Sequence, residues 1–344
     1  MRERRKIVEL WRRGKAGALV TLVRVEGSSY RRVGARLLVT TDGGYAGSIS
    51  GGCLEAEVVR KAPWMTRAGA VVERYSTLFD DTAEIPYGLG CGGTVDLLVE
   101  PAGTSEFEAL MEALEMSLQG EERRVVTWLP ENGMPLRRVV GDEAMSDEVG
   151  SRFEEWIEAP QRLYVFGAGD DARPMVQMAA LMGWSVTVVD GRAQWARVER
   201  FPDATRVVAA GSFDGLGAEI GPRDAVVVMS HSYEQDRTWL EGLLTRAPRY
   251  LGLLGSRHRS ALLVSEAAVA LGWSVERACT GLFAPVGLDI GGDGAEAIAL
   301  AVVAEIQACC EGKLGISRRM TPEKVAEQIA KGGASRYLQA QCAL

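Results

Sequence analysis

The sequence predicts an α/β protein in which a smaller α+β domain precedes a Rossmann-like domain, a doubly wound parallel sheet. Three observations support this fold class. A buried strand at residues 163–166 runs directly into a glycine turn, and an apolar helix follows. Short apolar strands then alternate with helical segments up to residue 310, which is typical of right-handed βαβ crossovers. The length of 344 residues is sufficient for two domains with separate cores.

Composition changes along the chain predict four segments. The first domain is expected at residues 1–142, and the Rossmann-like domain at 161–315. Between them, residues 143–160 are acidic, carry few large apolar side chains and are expected to form a linker. The polar residues 316–344 are expected to form a C-terminal tail with one weakly amphipathic helix.

In the first domain, hydrophobic periodicity predicts helices at residues 3–13 and 104–118. It also predicts strands at residues 18–25, 36–40, 45–49, 71–75, 94–100, 125–129 and 136–140. Two of these pairs are expected to be hairpins, the earlier one around the turn Asp42-Gly-Gly44.

Two glycine-rich loops of this domain contain a cysteine. Ser50, Gly51 and Gly52 are expected to begin a helix that ends near Pro63, with Cys53 in its first turn. Backbone N–H groups there suit an anion, and the helix dipole favours a thiolate. A small buried cysteine beside a tight turn is the alternative interpretation. The second loop contains Cys91, and the two loops together suggest a shared pocket.

The glycine turn of the second domain predicts a nucleotide-type site. Gly167 permits the tight turn, Gly169 allows a phosphate to approach the backbone, and the small Ala172 lets the helix pack on the strand. A second predicted strand ends at Asp190, 18 residues beyond Ala172, near where a ribose-binding carboxylate is expected.

Further strands are predicted at residues 206–210, 224–229 and 250–254, and a small-residue helix at 295–310. Ligands of parallel sheets lie beyond the carboxyl ends of the strands. The loop after residue 254 contains Gly255, Ser256 and Arg257, and we expect Arg257 to bind a phosphate or carboxylate. An ordinary surface charge is the alternative. His231, which follows another strand, suits either a general acid or base or a hydrogen-bonding loop residue.

Overall composition limits the functional classes. A net charge of −7 and a pI near 5.2 argue against nucleic-acid binding. No apolar run is long enough to span a membrane, and the charged start is unlike a signal peptide. Six cysteines without a CxxC pair and two histidines fit neither a disulfide framework nor zinc, so a cytoplasmic protein with reduced thiols is expected.

From the residues alone, the chain is expected to bind a phosphorylated, nucleotide-like ligand. An NAD(P)-dependent oxidoreductase and a nucleotide-sensing regulatory module both fit the glycine turn and Asp190. A dehydrogenase also needs a proton donor facing the nicotinamide, and His231 is the only evident candidate.

From about residue 15 to 310, the sequence resembles the XdhC/CoxI family, the xanthine dehydrogenase accessory factors. The likeness in the first domain rests on residues 27–35, Gly51-Gly-Cys-Leu-Glu-Ala-Glu57 and Cys91-Gly-Gly93. In the second domain it rests on Phe166-Gly-Ala-Gly169, Val188-Val-Asp190, Gly255-Ser-Arg257 and Pro285-Val-Gly-Leu-Asp-Ile290.

The resemblance implies a protein that binds the molybdopterin-type molybdenum cofactor without turnover of its own. It implies that a cysteine desulfurase supplies sulfur to the bound cofactor, and that a xanthine dehydrogenase-type molybdenum hydroxylase then receives it. A homodimer is expected. Because molybdenum favours soft sulfur ligands, Cys53 and Cys91 become candidates to face the metal or the transferred sulfur.

The chain departs from the family pattern at four places. Asp170 replaces a common histidine after the glycine turn, and Tyr233 replaces the second histidine of a Thr-His-x-His-x-x-Asp stretch. The family's Pro-Arg-Arg-Pro-Gly appears as Tyr30-Arg-Arg-Val-Gly34, and its Pro-Glu-Glu-Ile as Ala295-Glu-Ala-Ile298. Two histidines are therefore lost and an acid is gained at the mouth of the turn.

Overall fold

The computed structural model describes residues 1–76, 93–141, 150–211, 213 and 219–315. We call the part of the chain before Pro160 the first domain and the part after it the second domain. The first domain contains a five-stranded antiparallel sheet in the order β3-β2-β1-β5-β4. Its strands are β1 (Ala16–Gly27), β2 (Arg36–Thr40), β3 (Tyr45–Gly47), β4 (Val71–Ser76) and β5 (Gly93–Pro101).

Both faces of this sheet are covered, which explains why the central strand β1 is buried at six successive residues, 18–23. Helix α2 (Glu55–Met65) packs on one face. Helices α1 (Arg2–Arg12) and α3 (Ser105–Leu118) pack on the other face. These helices and strands confirm most of the predicted elements, including the hairpin of β2 and β3.

A second sheet of the first domain has the order β7-β6-β8. Its strands are β6 (Arg123–Trp128), β7 (Arg137–Val140) and β8 (Arg152–Ile157). Strand β8 lies within residues 143–160, which were predicted to be a linker, so this half of the segment belongs to the first domain's fold. Its alternating burial, with Phe153 and Ile157 inside, matches a strand with one covered face. The domain limits at 142 and 161 stay predictions.

The second domain is a six-stranded parallel sheet in the order β11-β10-β9-β12-β13-β14. Its strands are β9 (Arg162–Phe166), β10 (Ser185–Asp190), β11 (Arg206–Ala209), β12 (Ala225–Val228), β13 (Tyr250–Leu253) and β14 (Leu282–Phe283). Counted within the domain, the order is 3-2-1-4-5-6, which is the Rossmann order with its switch point between β9 and β12.

Helices cover both faces of the parallel sheet. Helices α4 (Ala172–Leu181) and α8 (Ala295–Cys310) pack on one face. Helices α5 (Tyr233–Arg246) and α6 (Arg257–Leu271) pack on the other, followed by the short α7 (Val275–Cys279). This arrangement confirms the predicted doubly wound fold. Helix α7 and strand β14 were not predicted.

The first domain packs against the edge of the parallel sheet where its strands begin, which we call the amino edge. Arg5 Nη2 donates to the carbonyl of Gly183, just before β10, at 3.2 Å. Glu122 pairs with Arg223, just before β12. The glycine turn follows β9 and therefore lies at the opposite, carboxyl edge. No helix in the described part of the chain is long and apolar enough to cross a membrane.

Candidate functional site

The glycine turn after β9 brings two loops of the carboxyl edge into close contact. Gly167 has φ of +137°, and a Cβ there would collide with the backbone of Met229 at the end of β12. A Cβ at Gly169 would collide with the Asp171 carboxylate. Ala172, the first residue of α4, is fully buried. Contacts within the chain thus explain the small residues of the turn.

Asp190, predicted to bind a ribose, is occupied by other groups of the chain. Its Oδ1 accepts hydrogen bonds from the backbone N–H and the Nε of Arg192, both at 2.9 Å. Its Oδ2 accepts from the backbone N–H of Ala168 and from Arg192 Nη2, both at 2.8 Å. Since a carboxylate has about four lone-pair sites, none is left for a ribose hydroxyl. Asp190 thus binds groups of the chain itself, and a ribose-binding role for it stays a prediction.

Burial opposes the negative charge of Asp190, but these four hydrogen bonds hold the pKa of its carboxyl below the ordinary value. The Ala168 N–H, which the turn would offer to a phosphate, is also used in this contact. Asp190 therefore joins β10 to the glycine turn, and Arg192 extends the connection to the Ser230 carbonyl, 3.4 Å away.

His231 lies at the switch point between β9 and β12 and is paired with an acid that sequence reasoning did not find. Its Nε2 is 2.6 Å from Oδ2 of Asp171, and its side chain is 63% exposed. The residue has φ of +62°, a conformation that is strained for a side chain other than glycine. Asp170 pairs in turn with Arg200 at 2.8 Å. Both acids at the mouth of the turn therefore have cationic or hydrogen-bonding partners.

The loop after β13 is arranged differently from the prediction. Ser256 caps α6, its Oγ accepting from the backbone N–H of Arg259 at 3.3 Å. Arg259 Nη2 also lies 2.9 Å from the buried Asp236. Arg257 is exposed and has no ion pair among the described residues. Gly255 and Ser256 thus support the start of the helix, and a ligand role for Arg257 stays a prediction.

The predicted anion site at Ser50–Gly52 is filled by the chain's own carboxylate, that of Glu55. Its Oε1 accepts from the backbone N–H of Ile49 (3.0 Å), Ser50 (3.0 Å) and Gly51 (3.2 Å). Its Oε2 accepts from the backbone N–H of Gly52 at 2.9 Å. Burial opposes the charge, but the hydrogen bonds of the loop lower the pKa of Glu55 to about 2.

The prediction that Cys53 lies in the first turn of a helix is wrong. Helix α2 begins at Glu55 with Leu54 as its N-cap, because Glu55 holds residues 49–52 in a bend. The Cys53 thiol is exposed, which also contradicts the alternative of a buried cysteine. Cys91 lies outside the described residues. Among the described residues, no three His, Cys, Asp or Glu side chains form a group that could hold a metal.

The structure does not bring Gly51, Gly52 and Cys53 together with the glycine turn in one chain. The loop of Gly51 packs against Tyr30, whose neighbour Arg32 lies 4.0 Å from Glu311 at the amino edge. The glycine turn lies at the carboxyl edge, and a five-residue strand spans about 16 Å. The backbone N–H groups of Gly51 and Gly52 bind Ser48 and Glu55, and no described hydrogen bond joins them to the glycine turn.

A cleft between the domains at the amino edge was not predicted from the sequence. It encloses about 1050 Å³. Residues just before strands of the parallel sheet form one wall, among them Gln161, Asp224 and Arg249. The first domain contributes Arg32, and the end of α8 contributes Cys310. No motif marks these residues, because they come from distant segments of the chain.

Comparison with protein families supports the assignment of both domains. Residues 10–76 match the family described as XdhC and CoxI. Residues 163–306 match the XdhC Rossmann domain. The first match covers the strands and helix around Cys53, and the second covers β9 to α8.

Individual proteins are similar over most of the chain. A Bacillus subtilis protein, named as a probable subunit of xanthine dehydrogenase, is 31% identical over 84% of this chain and 91% of its own length. The molybdenum cofactor insertion chaperone PaoD from Escherichia coli is 29% identical over 87% of this chain and 85% of its own length. The crystal structure of a xanthine dehydrogenase from Bacillus halodurans superposes with a TM-score of 0.76 at 27% identity, covering 94% of this chain and 99% of that one. The protein described here therefore belongs to the XdhC and CoxI family.

Proposed function

We propose that this protein binds a molybdopterin-type molybdenum cofactor in the cytoplasm, holds it for sulfuration and inserts it into a xanthine dehydrogenase-type hydroxylase. The observation that carries the proposal is the similarity along 87% of the chain to a molybdenum cofactor insertion chaperone. The proposed partners are the hydroxylase, a cysteine desulfurase and a second copy of this chain.

The structure offers groups that suit this cofactor. A phosphorylated pterin is an anion with a flat ring, and a pocket for it needs a few hundred cubic ångströms, guanidinium groups and an apolar wall. The cleft of about 1050 Å³ has the room and contains Arg32 and Arg249. The exposed thiol of Cys53 suits molybdenum or its transferred sulfur. We keep Cys91 as a second candidate from the sequence.

When bound, the cofactor supplies the molybdenum centre that the hydroxylase requires. The chain's own residues bind its charged and planar parts, orient it and exclude water. Nothing in this role requires the chain to transfer a hydride.

The contacts at the carboxyl edge count against the alternative, an NAD(P)-dependent oxidoreductase. The Asp190 carboxylate and the Ala168 N–H, which a dinucleotide would use, bind each other at 2.8 Å. At the mouth of the turn, the side chains of Arg200 and His231 are already engaged with Asp170 and Asp171 and are not free to bind a pyrophosphate.

The proposal is tested by purifying the protein from cells that make the cofactor, and measuring molybdenum and the fluorescent oxidised pterin per chain. We expect both to co-purify, and Cys53→Ser to retain less of each. Cys279→Ser is the matched control, because Cys279 is also an exposed free thiol but lies in α7. Tight NAD(P) binding with hydride transfer, and no pterin, would show that the proposal is wrong.

A further inference from the structure

The inter-domain cleft has a distinct charge pattern. Two of its arginines are neutralised by neighbours within the chain. Arg162 makes two hydrogen bonds to Asp224, at 2.7 and 2.6 Å. Arg223 pairs with Glu122 of the first domain. These pairs fix the wall of the cleft and leave little charge for a ligand.

Two other arginines of the cleft keep their charge available. Arg249 is exposed and has no ion pair among the residues that the structure describes. Arg32 has an 80% exposed side chain and only a 4.0 Å approach to Glu311. An anion in the cleft would meet positive groups from both domains.

The rest of the wall suits a flat, polar heterocycle. Leu118 and the exposed Met182 provide apolar surface, and the mostly buried Pro160 and Trp184 also line the cleft. The exposed Glu158 also lines the cleft, and its carboxylate matches the adjacent N–H donors of a 2-amino-4-oxopyrimidine ring. A ligand with such a ring at one end and a phosphate at the other has a complementary group for each part.

We propose that this cleft, at the amino edge of the parallel sheet, is the site that takes the phosphorylated pterin. Arg249 and Arg32 bind its phosphate, and Glu158 binds the amino-pyrimidine part of its ring. This inference rests on the proposed function and names the site at which the pterin binds. The cleft lies at the amino edge of the sheet. Ligands of such sheets are ordinarily expected at the opposite, carboxyl edge, where the glycine turn lies.

Cys310 provides an internal reporter of occupancy. It lines the cleft, and its Sγ is 3.3 Å from Oε1 of Gln161. Burial raises the pKa of its thiol, although the charge of Arg249 acts in the opposite direction. Because Arg249 and Cys310 line the same cleft, a ligand bound to Arg249 would cover Cys310. The exposed Cys279 does not line the cleft and serves as a reference thiol in the same protein.

The test uses the full chain and the oxidised, metal-free pterin phosphate, whose fluorescence reports binding. Arg249→Ala is expected to weaken its affinity by about 10- to 100-fold, since a charge-assisted contact to phosphate is lost. Arg246→Ala is the matched control, an exposed arginine three residues earlier that does not line the cleft. Bound pterin phosphate should also slow alkylation of Cys310 by iodoacetamide at about pH 8.5, mapped by mass spectrometry, while Cys279 reacts unchanged.

The possible outcomes distinguish failure of the cleft assignment from failure of the proposed function. If the pterin phosphate binds but neither Arg249→Ala nor Cys310 protection shows an effect, the cleft assignment is wrong and the proposed function stands. Loss of binding in Arg257→Ala with normal binding in Arg249→Ala would place the ligand at the carboxyl edge instead. A Cys310 that stays unreactive without ligand even at a pH high enough to ionise its thiol would show that the cleft is closed, which also refutes the assignment. Failure of the wild-type chain to bind pterin phosphate would overturn both proposals.

Discussion

Replacing Glu55 by Ala tests whether an internal carboxylate organises the loop that displays Cys53. The change removes the acceptor of four backbone N–H groups, those of residues 49–52, and of the hydroxyls of Ser48 and Ser50. Water can replace the carboxylate at the exposed Gly51 and Gly52, but not at Ile49, which is 1% exposed. Hydrogen bonds to charged groups contribute about 1.5–3 kcal/mol each, so we expect a loss of about 2–3 kcal/mol.

The assay is urea unfolding of the variant beside Glu57→Gln. Glu57 lies on the same helix and pairs with Lys61 at 2.5 Å on its surface, so its loss should cost only about 0.3–0.5 kcal/mol. We also expect faster alkylation of Cys53 in Glu55→Ala, because the loop loses its central acceptor. Equal stabilities of the two variants would refute the reasoning.

The same carboxyl predicts a dependence on pH. Its folded-state pKa of about 2 lies below the ordinary 4.5. Its contribution to stability is therefore complete above about pH 4.5 and is lost as the pH falls through 2. Glu55→Gln has no such contribution, so the stability difference between wild type and Glu55→Gln should shrink over this range. A difference that stays constant down to about pH 2 would contradict the assignment.

Three further substitutions test buried polar contacts. Asp190→Asn should destabilise the chain by about 1–3 kcal/mol in urea unfolding and leave pterin affinity unchanged; a selective loss of affinity would restore its ligand role. Tyr250→Phe removes the donor 2.6 Å from Glu305 and should cost about 1–3 kcal/mol; an unchanged urea midpoint would contradict this. Arg138→Met leaves Glu100 buried without its cation and should cost about 3–5 kcal/mol, and adding Glu100→Leu should recover part of this in thermal unfolding.

The second domain was largely predictable from sequence because its signals are local. Apolar runs of four to six residues, a glycine turn and capped helices follow one another, and each run became a parallel strand within one or two residues of its expected position. The strand order, and with it the switch point, was not predicted, because the right-handed crossover rule fixes the hand of each connection and not which strands are neighbours. The Asp171–His231 pair was not predicted either, because it joins side chains 60 positions apart in sequence.

The errors share a physical cause. A glycine-rich loop in a sequence indicates that backbone N–H donors are available, but it does not show which acceptor they bind. Here the acceptors are Glu55 and Asp190, which belong to the chain itself. Strand β8 was missed because its edge pairing with β6 compensates for a weak apolar pattern around Phe153. The cleft arises only when the two domains dock, and short-range periodicity carries no information about docking.

The placement of the first domain on the amino edge has a thermodynamic consequence. A molecule in the cleft and a molecule at the glycine turn would share no contacting atoms, so neither would displace the other by direct competition. Any influence between them would have to pass through elements that run from one edge to the other, such as β9 and α4. Such coupling is reciprocal, so whatever binds at the turn changes affinity in the cleft by the same factor as the reverse.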